Sequence, residues 1–286
     1  MSAKFTGRDV AVIVDVYKYR YLSVSQIQAL HCPSKRTAWR RLQALTTQGY
    51  LKAFIVPNIT ERLFYVDRAG AEVVAGEMQV GFDDLYWHSS MKAPKDYYFL
   101  RHFLGINDFR IQLTQACQES AIALLGFIPE YIGEKTEKGI LKKYLRDQVC
   151  DITNSNAALS HTPDGVFALE KNGSAALFFL EIDRGTENMK AFFNCIAFYL
   201  NYWTGKQFKK YADDFGVSEF KTFRALIITT AQKRLQNMRE VTTQYPFPRK
   251  QAKRFLWGAV DVSKETILSP IWQSMDCEDD TLYTIG

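Results

Sequence analysis

Residues 34–49, with the sequence SKRTAWRRLQALTTQG, contain one amphipathic helix together with its start and stop signals. Ser34 is a favourable N-cap, because its hydroxyl can accept a hydrogen bond from a free backbone amide of the first turn. Gly49 is a favourable end point, because glycine readily adopts the left-handed conformation that follows many helices. At about 100° per residue, one side of the helix carries the apolar residues Ala38, Leu42 and Leu45. The opposite side carries Arg36, Arg40 and Gln43.

The segments on either side of this helix predict a winged helix-turn-helix. Upstream, the apolar spacing predicts a first helix over residues 10–17 and a short second helix over residues 23–30. Downstream, two β-prone segments at 50–56 and 62–66 flank a turn that contains proline and asparagine, which predicts a β-hairpin. Three helices followed by a hairpin give a winged helix-turn-helix domain, which we assign to residues 1–82.

The net positive charge of the chain is confined to this N-terminal segment. Residues 1–80 hold 11 basic side chains against 6 acidic ones, whereas residues 81–286 hold 25 against 25. A localised basic surface is typical of proteins that bind phosphate backbones, so we expect double-stranded DNA as a partner. Long basic side chains on such a helix can reach base edges or phosphates in the major groove. The residues predicted to contact DNA are Lys35, Arg36, Thr37, Arg40, Arg41, Gln43 and Lys52.

A second domain is predicted over residues 96–286, after a polar linker at residues 83–95. Two β-prone segments, 163–169 and 175–184, are separated by a short turn with the sequence Lys-Asn-Gly-Ser. Helical and β-prone segments alternate after them, as far as residue 260. This alternation predicts a mixed α/β sheet.

Three carboxylates of the second domain form a candidate metal site. Asp164 opens the first of the two strands, and the period-two alternation of a strand places Glu181 and Asp183 on one face at the end of the second. Carboxylate oxygens suit hard divalent cations, so we expect these residues to bind Mg²⁺ or Mn²⁺. Ordinary strand-end carboxylates that face solvent are the alternative interpretation.

This pattern resembles the restriction-endonuclease-like fold, in which a Pro-Asp and a later (Asp/Glu)-x-Lys on neighbouring strands bind metal and activate water. The resemblance implies that Asp164 and Glu181 are the metal-binding acids and that Asp183 occupies the lysine position. Lys190, at the start of the following helix, is then the candidate for the missing ammonium group. The implied catalytic set of Asp164, Glu181, Asp183 and Lys190 is that of a degenerate metal-dependent endonuclease or nickase.

The chain as a whole resembles the replication-relaxation family of plasmids and integrative elements. The motifs that carry the resemblance are Thr6-Gly7-Arg8-Asp9, Ser34-Lys35-Arg36-Thr37-Ala38, His102 with Asn107-Asp108, and Glu181-Ile182-Asp183-Arg184-Gly185-Thr186. The resemblance implies a winged helix followed by a restriction-endonuclease-like domain, acting in plasmid replication or mobilisation as an origin-binding or relaxation accessory factor. The implied partners are a relaxase, replication initiator or helicase of the same element, and a second copy in a homodimer. A transcriptional regulator and a metal-dependent nickase are the alternatives.

Other classes of protein are disfavoured by what the sequence lacks. Acidic residues interrupt the first apolar segment and the later apolar segments are short, so we expect a cytoplasmic protein with no membrane partner. The five cysteines are scattered without a Cys-x-x-Cys pair, and the four histidines form no His-Glu-x-x-His motif. The sequence also contains no P-loop, so the chain is not itself a P-loop motor.

Overall fold

The fold is described from a computed structural model, which covers residues 5–85, 87, 96–135, 141–154, 157–185, 188–247 and 255–286. The chain divides into two compact units, Met1–Ile111 and Gln112–Gly286. Among the described residues, no helix combines the length and the apolar character needed to cross a membrane.

The first unit contains the three predicted helices and the predicted hairpin in the expected order, together with a short first strand and a fourth helix. Its elements are α1 (Gly7–Lys18), β1 (Leu22–Ser23), α2 (Val24–His31), α3 (Lys35–Thr47), β2 (Leu51–Phe54), β3 (Leu63–Val66) and α4 (Arg68–Met78). The strands form an antiparallel sheet in the order β1-β3-β2, with β2 and β3 as the hairpin. Ser34 caps α3 by accepting a hydrogen bond from the Thr37 amide at 3.2 Å, and Gly49 takes a φ of +80° after the helix.

The apolar face of α3 is the centre of the first unit's core. Ala38, Leu42 and Leu45 are fully buried, as the helical spacing predicts. They lie in one cluster with apolar residues of α1 and with Phe64 of the hairpin. Burial of this face fixes the rotation of α3 and leaves the opposite face towards solvent.

The first unit extends further along the chain than the predicted boundary at residue 82. The division between the units falls within α5 (Tyr97–Gln118), after Ile111. The buried Asn107 amide donates hydrogen bonds to the carbonyl oxygens of Tyr19 and Tyr21, at 3.2 and 2.8 Å. These bonds satisfy backbone oxygens of the segment that follows α1, and the first part of α5 accordingly belongs to the first unit. Within the predicted linker, residues 86 and 88–95 lie outside the described residues.

A seven-stranded mixed sheet organises the second unit, which confirms the predicted α/β class. The strands of the sheet are β4 (Ala123–Pro129), β9 (Gly165–Lys171), β10 (Ser174–Ile182), β11 (Phe223–Thr229), β12 (Leu256–Val260), β13 (Trp272–Ser274) and β14 (Leu282–Tyr283). Their order is β14-β13-β12-β11-β10-β9-β4. The neighbours β10, β11 and β12 are parallel, and the other pairs are antiparallel.

Helices connect the parallel strands and cover one face of the sheet. The helices are α6 (Met189–Gly205), α7 (Tyr211–Asp214) and α8 (Gln232–Gln244). Phe179 of β10 and Phe223 of β11 pack against Tyr199 and Tyr202 of α6, all four fully buried. The tight turn between β9 and β10, predicted from the sequence, places Asn172 and Gly173 at φ values of 52° and 75°. The positive φ angles explain the residue types, because asparagine and glycine tolerate this region.

Two ribbons lie outside the sheet in the chain order between β4 and β9. They are the antiparallel pairs β5 (Gly133–Lys135) with β6 (Leu141–Lys143), and β7 (Asp147–Asp151) with β8 (Ala157–His161). The many charged residues between Glu134 and Asp147 predict a solvated hairpin or loop at the first pair, whereas the sequence does not predict the second pair. The second pair matters for the site, because β8 ends at His161.

Candidate nucleic-acid interface and histidine–carboxylate cluster

The exposed face of α3 carries two arginines at its N-terminal half. Arg36 and Arg40 are both exposed, one helical turn apart, and neither makes an ion pair with a described carboxylate. Trp39 lies beside them with 38% of its surface exposed, and its ring packs edge-on against Phe64. The guanidinium of Arg62, on the hairpin side, lies over the Trp39 ring at 5.3 Å from its centroid. Arg36, Arg40 and Arg62 are therefore three exposed arginines on or beside this face of α3.

Shallow clefts border this face of α3 on both sides. The cleft next to the hairpin is lined by Lys35, Arg36, Trp39 and Arg62, together with Val24, Thr60 and Glu61. The cleft next to α1 is lined by Arg8, Arg40 and Arg41, together with Thr6, Cys32, Thr37 and Ala44. In each cleft three of the seven lining residues are arginine or lysine, the residue types that bind a phosphate backbone.

Three of the seven residues predicted to contact DNA have acidic partners within the first unit. Lys35 pairs with Glu61, which also accepts hydrogen bonds from the amide and hydroxyl of Ser25. Lys52 pairs with Asp67 at 3.0 Å. The third pair joins Arg41 to Asp9. Thr37 and Gln43 are half-buried.

Arg41 is half-buried, and its guanidinium binds a carboxylate in the interior of the first unit. Its Nε and Nη2 atoms both contact the carboxylate of Asp9, which is fully buried. Asp9 also accepts bonds from the amide and hydroxyl of Thr6, both at 2.6 Å. Burial opposes ionisation of Asp9, but the Arg41 guanidinium and the Thr6 donors outweigh it and lower the pKa of the carboxyl. Arg41 stays among the residues predicted to contact DNA, but in the structure its guanidinium neutralises a buried carboxylate.

In the second unit, Glu181 lies in a cluster with a histidine, a cysteine and a tyrosine. The Nε2 atom of His161, at the end of β8, lies 2.7 Å from Oε1 of Glu181 on β10. Cys195 of α6 places its Sγ 3.9 Å from the same His161 nitrogen. The hydroxyl of Tyr199, one turn further along α6, donates to Oε1 of Glu181. Within the described residues, potential metal-ligand atoms of His161, Glu181 and Cys195 all lie within 4.8 Å of one another.

The electrostatics of this cluster favour a proton on His161. Burial disfavours the imidazolium, but the neighbouring Glu181 carboxylate and Cys195 sulfur outweigh it and hold the pKa of His161 well above its usual value. Burial and the same carboxylate raise the pKa of Tyr199, so its phenol stays a hydrogen-bond donor. Glu181 is thus surrounded by donors in a site whose side chains are about one fifth exposed, 21% for His161 and 17% for Glu181.

Asp183 accepts hydrogen bonds from a different set of residues. Its Oδ2 accepts from the hydroxyl of Thr229 at 2.7 Å and from Nε of Arg234, and its Oδ1 accepts from Nη2 of Arg234 at 2.7 Å and from the Gly185 amide at 3.2 Å. A carboxylate has about four acceptor positions, and these four donors fill them. Asp183 is 5% exposed, so the ion pair with Arg234 neutralises a buried charge.

The predicted three-carboxylate arrangement therefore differs from the one in the structure. Asp164 is buried and accepts a hydrogen bond from the Ile182 amide at 2.7 Å, which ties the start of β9 to the end of β10. Glu181 lies against His161 and α6, whereas Asp183 lies past the end of β10, where Arg234 of α8 binds it. Lys190 is exposed in the first turn of α6.

Sequence reasoning missed His161, Cys195 and Arg234 as neighbours of the predicted acids. One local signal was available: Cys195 and Tyr199 are four residues apart on one helix, which places both on the same face. The positions of His161 and Arg234 carry no comparable signal, because their partners are 20 and 51 residues away along the chain.

Comparison with known proteins identifies the family. Residues 14–217 match the replication-relaxation family, and since this is more than half of the chain, the chain belongs to that family. Family membership suggests a role in the replication or relaxation of a plasmid or related element. No curated protein matches the chain.

Among solved structures, the restriction endonuclease FokI is similar, with 10% sequence identity and a TM-score of 0.29. The match covers 93% of this chain and 45% of the other, so this chain spans less than half the length of that protein. At this TM-score the similarity carries no functional implication.

Proposed function

We propose that this chain binds double-stranded DNA of a mobile element through α3, and that it serves as an accessory factor at a replication or transfer origin. The observation that carries the proposal is the exposure of Arg36 and Arg40 on the face of α3 opposite its buried apolar residues. A helix that is fixed by its core on one side and basic on the other can enter the major groove, where arginine reaches guanine edges or phosphates.

The hairpin residue Arg62 extends the same basic surface. Its guanidinium lies over Trp39, which limits the number of conformations that the side chain samples before it meets DNA. Arginine side chains commonly contact the phosphate backbone and so fix the position of a protein on the duplex. Lys35, Lys52 and Arg41 contribute less to the proposed interface, because each is already paired with a carboxylate.

The hydrogen-bond partners of Asp183 favour an accessory role over DNA hydrolysis. Its acceptor positions are filled by Arg234, Thr229 and Gly185, so the carboxylate has no free position for a Mg²⁺ ion. Asp183 also occupies the position where the restriction-endonuclease-like pattern has a lysine, whose ammonium group would assist hydrolysis. A supercoiled plasmid incubated with the protein and Mg²⁺ or Mn²⁺ should stay supercoiled, and conversion to the open circle would overturn this part of the proposal.

The proposed interface is tested by the double substitution Arg36→Ala/Arg40→Ala in the full chain. Binding to a fluorescent duplex should weaken by roughly 1–3 kcal/mol for each base contact that is lost. The matched control is Lys18→Ala/Arg68→Ala, which removes the same charge from exposed positions at the end of α1 and the start of α4. The control should bind with nearly the affinity of the wild type.

The salt dependence of affinity distinguishes base contacts from phosphate contacts. If the two arginines bind phosphates, the slope of log affinity against log salt should fall by about 1 for each residue, uniformly over different DNA sequences. If they read bases, the loss should be larger on the cognate site than on random duplex. Equal affinity of the double variant and the control, with both folded, would refute the assignment of α3 as the DNA-binding helix.

A footprint on the element's own DNA separates the proposed role from gene regulation. Protection of the replication or transfer origin supports the accessory role. Protection confined to promoters would favour a winged-helix transcriptional regulator instead.

A further inference from the structure

We propose that His161, Glu181 and Cys195 form a binding site for a transition-metal ion of the Zn²⁺ type. The site is independent of the proposed DNA interface. It also differs from the three-carboxylate site predicted from the sequence, with which it shares Glu181 alone.

The three side chains are brought together by three separate elements. His161 ends β8, Glu181 is the penultimate residue of β10, and Cys195 lies in the second turn of α6. Zn²⁺ binds sulfur at about 2.3 Å and nitrogen or oxygen at about 2.0–2.2 Å, so tetrahedral ligand atoms lie roughly 3.4–3.6 Å apart. The His161 nitrogen is 2.7 Å from the Glu181 oxygen and 3.9 Å from the Cys195 sulfur. Side-chain movements of about 1 Å would therefore open the cluster around an ion.

The donor atoms select the class of metal. Imidazole nitrogen and thiolate sulfur bind Zn²⁺ and similar ions, whereas Mg²⁺ and Ca²⁺ prefer sites made of oxygen ligands. Three protein ligands leave the fourth tetrahedral position for water or another ligand, and the partial exposure of His161 and Glu181 gives that position access to solvent.

The surroundings of the cluster are suited to hold a cation. The Tyr199 hydroxyl donates to Glu181 and so orients the carboxylate, as hydrogen bonds from outside the ligand set do in known metal sites. The rings of Phe198 and Tyr199 pack against His161, with centroids 5.2 and 5.4 Å from the imidazole.

The test uses the full-length protein, freed of metal with a chelator and titrated with Co²⁺ as a spectroscopic substitute for Zn²⁺. We expect one equivalent of Co²⁺ to produce the near-ultraviolet charge-transfer absorption of a cobalt–thiolate bond, and Zn²⁺ to abolish that absorption by displacement. Zn²⁺ should also raise the melting temperature, because a ligand that binds the native state stabilises it. Mg²⁺ at the same concentration should not.

Substitutions identify the ligands. Cys195→Ser should abolish the charge-transfer absorption, and the matched control Cys150→Ser, which changes an exposed cysteine of β7, should retain it. His161→Gln should abolish tight Co²⁺ binding. Tyr199→Phe keeps all three ligands and should weaken binding by about 10–100-fold, the usual effect of losing a hydrogen bond to a ligand.

Three results would overturn the proposal. One is the absence of charge-transfer absorption in the wild-type protein, which needs no variant to fold. The other is absorption that persists in Cys195→Ser and disappears in Cys150→Ser, which would place the metal at an exposed thiol. A melting temperature that rises with Mg²⁺ and not with Zn²⁺ would also overturn it, in favour of an all-oxygen site.

Discussion

The contrast between Arg40 and Arg41, neighbours on α3, gives a sharp test of the first unit. Replacing Arg41 with methionine keeps most of the side-chain volume but leaves the fully buried carboxylate of Asp9 without its cation. Loss of one partner from a buried ion pair costs about 3–5 kcal/mol. Arg41 is 20% exposed and Asp9 keeps its two bonds from Thr6, so we expect the lower end, about 3 kcal/mol. Replacing the exposed Arg40 should cost almost nothing.

Hydrogen exchange of backbone amides in α1 and α3 measures this cost within the unit concerned. At about 1.4 kcal/mol for each factor of ten, amides protected by unfolding of the unit should exchange about 100-fold faster in Arg41→Met. Those of Arg40→Met should exchange as in the wild type. The double variant Asp9→Asn/Arg41→Met should recover much of the protection, since no charge is then buried. Equal protection in the two single variants would refute the role of Arg41 as the partner of the buried Asp9 carboxylate.

The same pair has a defined pH dependence. Because the pKa of Asp9 is lowered in the folded chain, the pair stabilises the fold above the ordinary aspartate pKa, and this stabilisation is lost as the pH falls. In Arg41→Met the unpaired carboxyl can relieve its burial by taking up a proton. The difference in protection between wild type and Arg41→Met should therefore shrink as the pH is lowered towards about 4.

Two further predictions concern other ion pairs. Burial opposes ionisation of Glu61, but Lys35 and Ser25 outweigh it and lower its pKa to about 2. Thermal melts should therefore show Glu61→Gln less stable than wild type above about pH 4.5, with the difference vanishing as the pH falls towards 2. In the second unit, Arg234→Gln should cost about 3 kcal/mol by unpairing the buried Asp183, and so lower the melting temperature by roughly 6–12 °C. The surface substitution Lys190→Gln is its control, and equal melting temperatures in the two variants would show that the Arg234 pair is not needed.

The elements of the first unit could be predicted from sequence because their signals are local. The capping serine, the apolar spacing of α3 and the terminal glycine all act within about one turn of the chain, and each is found where it was expected. The partner of the Arg41 side chain could not be predicted in the same way. On a helical wheel it lies about 40° from Leu45, at the edge of the apolar face, where an arginine can either extend into solvent or pair with a buried acid. Asp9, which decides between these, is 32 residues away.

The sequence by itself determined the mixed α/β class of the second unit, the helices and hairpin of the first, the hairpin of β9 and β10, and the positions of Asp164, Glu181 and Asp183 at its ends. These follow from periodicity and turn chemistry, which depend on near neighbours. The tertiary structure decided which partner each acid has: Glu181 meets His161 and Cys195, and Asp183 meets Arg234. A strand pattern states which face a side chain occupies but not which ribbon or helix covers that face. That choice depends on how β8, α6 and α8 pack on the sheet, and packing is set by contacts between residues far apart in the chain.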